Sequence, residues 1–339
     1  MKENKALSNA VIFLTVSVLT LFGAQMLLAE PIMLNYSIFF PESHSQCQAA
    51  MAWAEEINRQ SNGRVKITVF PGGTLVSAPE TYDGVVNGKA DIGMSCFAYT
   101  EGRFPVMAAA DLPLGYKNGL MASMVVNDYY AAVKPKELAD VKVLYLHAHG
   151  PGLLHTVKPV KTLRDFNKMT IRATGLSAKI VNALGGVAVA MPQGDTYEAL
   201  KTGAVEGTFG PMEVLKGWRQ GEVIKSTPEC TAIGYTTTMF VVMNLDKWNR
   251  LPKNIQNIFA GTSRQWIAKH GQAWDDADAE GRDYTLSLGN SVIPLSKQLT
   301  IFWSNKIQNV IDNYITETKA RKLLGKEYVE TLMSLCQRY

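Results

Sequence analysis

The chain has 339 residues, 47% of them hydrophobic and 19% charged, with a formal net charge of +4. Such a composition can bury a sizeable core in two domains of ordinary size, and it excludes a disordered chain. Lysines and arginines are scattered rather than massed, which excludes a nucleic-acid-binding stripe and any nucleic-acid partner.

Residues 1–29 carry Lys2 and Lys5, then an uncharged apolar run, "AVIFLTVSVLTLFGAQMLLA", from Ala10 to Ala29. This is the pattern of a cleaved secretory signal, with Ala29 at the cut and Ala24 as a second possible cut. A run of about 20 residues also fits an uncleaved anchor. Cleavage is the favoured expectation, and it makes the mature protein a soluble periplasmic one.

In the mature chain, "IMLNYSIFF" alternates as a strand, and "SHSQCQAAMAWAEEINRQSNGR" has apolar residues at helical spacing up to an Asn-Gly stop. "VKITVF" follows as a strand, "PGGTLV" as a turn, "APETYDGVVNGKA" as a helix and "DIGMSCF" as a strand. This order predicts α/β architecture with parallel strands. Ligands gather beyond the carboxyl ends of strands in such sheets, so Ser95, Phe97 and Tyr99 become pocket candidates. The pattern then restarts: "VKVLYLHAHGPG" is a strand and a glycine-rich turn, "KMTIRATG" a strand carrying Arg172, and "GDTYEALKTGAVEGTFGP" a helix and a strand. "TTTMFVVMNLDKW" reads as a long strand crossing back, and the chain from Pro252 onward is mainly helical. Two α/β lobes joined by crossing strands would leave a cleft between them.

No catalytic motif stands out: G-x-S-x-G, H-E-x-x-H, the P-loop and a post-strand G-x-G-x-x-G are all missing from the sequence. His147 and His149 face one side of a strand and His155 follows shortly after, but no Cys or acidic residue lies at ligand spacing, so packing is favoured over a metal site. Asp275, Asp276, Asp278 and Glu280 read as a solvated helix face. Cys47, Cys96, Cys230 and Cys336 are too few and too spread for a disulfide scaffold; one or two disulfides and buried thiols both remain open. Arg172 is the residue that asks for an explanation. It is either a solvated strand residue, the usual fate of arginine, or a planar, permanently charged clamp for a carboxylate in a cleft.

Several segments in order, among them "SNGRVKITVFPGGTL", "VVNGKADIGMS", "GRFPVMAAADLPL", "GPGLLHTVKPVKTLRDFNKMTIRATG", "GGVAVAMPQGDTYEALKTGAVEG" and "FVVMNLDKWNRLP", resemble the DctP-like periplasmic solute-binding proteins of tripartite ATP-independent (TRAP) transporters. The resemblance covers essentially the whole mature chain. It implies a two-lobed periplasmic-binding-protein fold with a central cleft, crossing strands and long C-terminal helices. Lobe I would hold 30–149 plus about 238–277, and lobe II 150–237 plus about 278–339. It also implies a carrier and no enzyme, no cofactor, a small organic acid as ligand, and small and large membrane subunits as partners. The partly amphipathic tail can pack on the protein's own lobes, so a monomer is expected; some family members dimerise through a long C-terminal helix.

Within that resemblance, the arginine of the family's "K-I-R" strand pairs with the ligand carboxylate, and here it is Arg172. Where the family commonly reads "V-D-G-A-E-N-P", this chain has "VEGTFGP" over Val205–Pro211, putting Phe209 and Gly210 at the Glu-Asn positions. The wall there should be roomier and more apolar, since one aromatic side chain brings about 150–250 Å² of contact surface. Phe39, Phe40, Phe97, Tyr99, Pro211, Met212 and Tyr235 extend this wall. Ser95, Gln193, Thr236 to Thr238 and the histidines could add polar contacts, with His149 the chosen second one. The expected ligand is an aromatic or bulky apolar monocarboxylate: an aryl acid, an aryl 2-oxo acid or an aromatic amino acid. A C4-dicarboxylate or a sugar acid is the alternative, and an exported enzyme using the cleft is more remote.

Overall fold

The computed structural model describes residues 30–230 and 233–339. The expected signal at 1–29 lies outside the described residues.

The strands are β1 (Ile32–Ile38), β2 (Val65–Phe70), β3 (Ile92–Cys96), β4 (Val141–Ala148), β5 (Leu153–Thr156), β6 (Thr170–Arg172), β7 (Val187–Val189), β8 (Gly207–Gly210), β9 (Ser226–Glu229), β10 (Thr238–Asn244) and β11 (Ser291–Pro294). They form two sheets, one in the order β2-β1-β3-β10-β4 and one in the order β11-β9-β5-β8-β6-β7. The main helices are α1 (Ser45–Gln60), α2 (Thr81–Val86), α3 (Gly119–Val133), α4 (Leu176–Leu184), α5 (Thr196–Thr202), α6 (Val214–Gly217), α7 (Lys253–Ser287), α8 (Lys297–Ala320) and α9 (Gly325–Arg338).

The two-lobed α/β fold is as expected, but the sheets are mixed rather than parallel. β10 runs antiparallel between β3 and β4, and β5 runs antiparallel to β8 and β9. Each is a crossing strand: β5 enters the second sheet straight from the first, and β10 returns to the first after the second sheet is nearly built. A strand arriving by such a connection needs no right-handed helical crossover and is free to pair antiparallel. "VVM" in β10 is buried on both faces, which explains its unbroken hydrophobic run.

Helix α7 ties the lobes together by packing on α1, α3 and β4 of the first and on α6 of the second. Two glycines let it come that close. A Cβ on Gly271 would stand 2.7 Å from the Leu120 Cα, and one on Gly281 would stand 2.1 Å from the Met212 carbonyl oxygen. The last helix departs from the expected partition. α9 leaves α8 and packs on α3 of the first lobe, burying Val329, Leu332 and Leu335, so the chain end clamps across both lobes. No helix among the described residues is long and apolar enough to cross a membrane.

Candidate functional site

The carboxyl ends of β1, β3, β4, β6 and β8 converge on the cleft, where chain-end loops rather than strand hydrogen bonds present side chains. One cavity there is lined by Phe39, Phe40, Tyr99, His149, Arg172, Gln193, Phe209, Gly210, Pro211 and Tyr235 from the sequence reading. It is lined as well by Cys96, Thr174, Ser177, Glu213, Trp218, Thr237, Met239 and Trp274.

Arg172 is the last residue of β6, held between Val189 of β7 and Thr208 of β8, and is only 6% exposed. Its Nε and Nη2 both donate to the Met191 carbonyl oxygen, at 3.1 and 3.0 Å. One carbonyl gripping that edge fixes the guanidinium plane and leaves the Nη1–Nη2 edge for the cavity. Among the described residues no carboxylate forms an ion pair with it. A buried cation without a counter-ion is costly, and an anion in the cavity offsets that cost.

The Tyr99 hydroxyl accepts the Gln193 N–H at 3.0 Å, so its own O–H remains to donate. Burial pushes this phenol well above its ordinary range, which keeps that proton in place. His149 follows β4, and burial lowers its pKa to about 4, so the ring is neutral. Its edge meets Tyr235 at 5.7 Å and Trp274 at 6.0 Å between ring centroids. Tyr235 occupies the space a side chain at position 152 would take: a Cβ on Gly152 would lie 2.0 Å from its ring. Phe209 packs on Tyr235 at 5.8 Å. His155, buried in β5, accepts from Thr227 on Nδ1 and donates from Nε2 to the Gly210 and Pro211 carbonyls, holding that segment in place.

Three predicted site residues, Ser95, Phe97 and Met212, lie elsewhere. Ser95 is fully buried and donates to the Ala78 carbonyl at 2.7 Å. Phe97 packs on Phe104 and Phe240, at 5.0 and 5.1 Å, in the core of the first lobe. Side chains alternate along β3, so once Cys96 faces the cavity Ser95 faces away, and Phe97 opens the turn beyond the strand. Burial pushes the Cys96 thiol up to about 12, leaving it protonated and apolar in character. Met212 turns into the apolar cluster of the second lobe with Leu153 and Leu215. Of the three threonines, Thr237 lines the cavity, whereas Thr236 donates to the His149 carbonyl at 2.6 Å and the Thr238 N–H binds Asp111 at 2.8 Å.

Sequence reasoning missed the indoles. Trp218 stacks near Phe39, with centroids 6.2 Å apart, and Trp274 of α7 meets Phe40 at 5.8 Å. Trp274 looked like any apolar position of a long helix, and Trp218 sits past a short α6 with no periodicity to mark it. Among the described residues His147 belongs to no group of His, Cys, Asp and Glu that could hold a metal ion. Its Nδ1 accepts the Trp274 N–H at 3.0 Å and its ring stacks on His270 at 4.3 Å.

Contacts cross from the first lobe to the second around this cavity. They are Tyr99 to Gln193, Phe39 to Trp218, and the buried His44 Nε2 to Glu213 Oε2 at 2.9 Å. The lobes are therefore closed on one another.

Comparison with known proteins places this geometry. The family model described as DctP, bacterial extracellular solute-binding protein, family 7, matches residues 36–318. A monocarboxylate 2-oxoacid-binding periplasmic protein of Nostoc sp. is 27% identical over 267 residues, covering 77% of this chain and 73% of the relative. The 2,3-diketo-L-gulonate-binding periplasmic protein YiaO of Escherichia coli is 26% identical over 255 residues, covering 73% and 76%. A TRAP solute-binding protein from Rhodoferax ferrireducens, solved with copurified benzoate, superposes with a TM-score of 0.86 at 26% identity, covering 91% of this chain and 98% of that one. With the match spanning both lobes and the cleft, the chain belongs to the family 7 bacterial extracellular solute-binding proteins, the solute-binding proteins of TRAP transporters.

Proposed function

We propose that the protein captures an organic acid in the closed cleft and delivers it to the small and large membrane subunits of a TRAP transporter. The acid's carboxylate lies on the Nη1–Nη2 edge of Arg172 with the Tyr99 O–H beside it, and its body is aromatic or bulky and apolar. The observation that carries this reading is the buried guanidinium, pinned by Met191 and facing a wall of Phe40, Phe209, Trp218, Tyr235 and Trp274. A charge-assisted bidentate pair in a dry cleft gives tight, reversible binding, and relatives that bind a 2-oxo acid or benzoate support the ligand class. The site offers retention without turnover; no role in catalysis is assigned to any of its residues. In keeping with the signal-like segment at 1–29, the protein acts in the periplasm, and the mass of the exported chain tests that export step.

A sugar acid is the second reading, favoured by Thr174, Ser177, Gln193 and Thr237 in the wall and by the diketo-gulonate relative. A thermal-shift screen decides between them, using aromatic monocarboxylates, branched 2-oxo acids, C4-dicarboxylates and sugar acids. A ligand at 1,000 times its Kd adds about 4.1 kcal/mol of stability. A shift with aromatic acids supports the first reading, a shift confined to sugar acids replaces it by the second, and no shift with any carboxylate overturns both.

A further inference from the structure

The polar atoms facing the cavity divide into donors and acceptors, and the acceptors constrain the ligand. Arg172 and Tyr99 donate, and the buried Gln193 Nε2 and Trp218 Nε1 are further donors in the wall with no partner among the described residues. His149 brings Nδ1 to 2.5 Å from the Gly150 carbonyl oxygen, a contact that requires the proton on Nδ1. In the neutral ring Nε2 then carries a lone pair. Glu213 is 2% exposed, and its Oε2 accepts the Nε2–H of His44. His44 cannot turn that bond around: its Nδ1 accepts the Gln46 backbone N–H at 3.2 Å, which leaves the ring proton on Nε2. Among the described residues no donor reaches Glu213 Oε1. The cavity wall thus includes two residues with an acceptor atom to spare, His149 and Glu213, beside the clamp for the ligand's own carboxylate.

A second carboxylate on the ligand would meet a carboxyl oxygen and a ring lone pair with no hydrogen to share, an unfavourable arrangement in a water-excluded cleft. An ammonium would satisfy both acceptors, and a hydroxyl one of them. We propose that the ligand carries, besides its carboxylate, a hydrogen-bond donor taken up by His149 Nε2 and Glu213 Oε1, and that these two residues exclude dicarboxylates. The proposal rests on the carboxylate reading of Arg172.

The test is isothermal titration of the mature protein with matched series that differ only in one substituent. They are phenylacetate, mandelate and phenylglycine; 3-phenylpropionate, phenyllactate and phenylalanine; propionate, lactate and alanine; and phenylsuccinate and succinate as dicarboxylates. The donor-bearing member of the best series is expected to bind at least about tenfold tighter than its unsubstituted parent, the size of one well-made buried hydrogen bond to a charged group. Glu213→Gln should erase most of an ammonium's advantage and reduce a hydroxyl's. His149→Asn, which keeps the Nδ1 donor and removes the Nε2 acceptor, is the second variant should Glu213→Gln fail to fold. If the parent acids bind, weaken on Arg172→Lys, and gain nothing from a hydroxyl or an ammonium, this inference falls and the carboxylate reading stands. Preferential binding of a dicarboxylate also overturns it. If no acid of any series binds and no sugar acid does either, the two readings fall together.

Discussion

At the scale of the residue, the cleft is decided by a few side chains whose freedom the backbone has already removed. Arg172 is the clearest case. Lysine at that position keeps the charge and loses the planar fork, so it cannot hold the Met191 carbonyl with one edge and a carboxylate with the other. Arg172→Lys is expected to weaken ligand binding by about 2–5 kcal/mol, the range for breaking a buried charge pair, and titration calorimetry of the two proteins measures it. Unchanged affinity would mean the clamp is misassigned. Gly152 makes a second prediction. A methyl group there collides with the Tyr235 ring, and overpacking of this kind costs about 1–3 kcal/mol. Gly152→Ala should lower the urea midpoint and also weaken binding, because the ring that retreats is a cavity wall. A loss of stability with binding intact would place Tyr235 outside the ligand's reach.

The elements show what could and could not be read from the sequence. β1, α1 and β2 follow their patterns to within a few residues, because alternation and the Asn62-Gly63 stop, both with positive φ, are local signals. The antiparallel insertion of β10 was not legible, since pairing direction is set by where the chain returns from and leaves no trace in the strand itself. The same holds for the acidic run of α7, read as a solvated face. Asp276 is exposed, but Asp275 accepts the Gly119 and Leu120 N–H groups at 2.5 and 3.2 Å and caps α3, while Asp278 accepts the Glu213 N–H at 2.8 Å. Helical period alone cannot tell which acid of such a run meets another helix's first turn. Asp275→Ala should therefore cost about 1–2 kcal/mol as a lost cap, whereas Asp276→Ala, which gives up only an exposed contact with Gln272, should stay within about 0.5 kcal/mol. Equal effects of the two in denaturant titrations would show that the cap carries no weight.

For the whole molecule, the buried titratable groups set how stability depends on pH. Burial holds His149 and His155 down to about 4 and His270 to about 3, and lowers His147 well below its ordinary value, partly through the neighbouring His270. Unfolded histidines take up protons near pH 6.5. As the pH falls from there to about 4 the unfolded chain binds more protons than the native one, so this contribution to stability is lost on acidification. Four carboxyl groups act in the other direction, and burial raises two of them, Glu137 and Asp275, above their ordinary values. Burial raises Asp111 to about 7 and Asp278 to about 8, so the native protein keeps protons that the unfolded chain gives up near pH 3.9, and their contribution is lost as the pH rises from about 4 to 8. The four histidines outweigh these acids below about pH 6.5, and above it Asp111 and Asp278 still change. The melting temperature of the ligand-free protein should therefore peak near pH 6.5 and fall on both sides. Asp278→Asn, which keeps the oxygen that accepts the Glu213 N–H, should flatten the alkaline limb and leave the acid limb in place. A melting temperature that rises steadily through pH 8 would mean both acids are ionised in the folded protein, and with Asp278 charged beside Glu213 the closed lobes would carry an extra negative charge at the cleft proposed to take the acid.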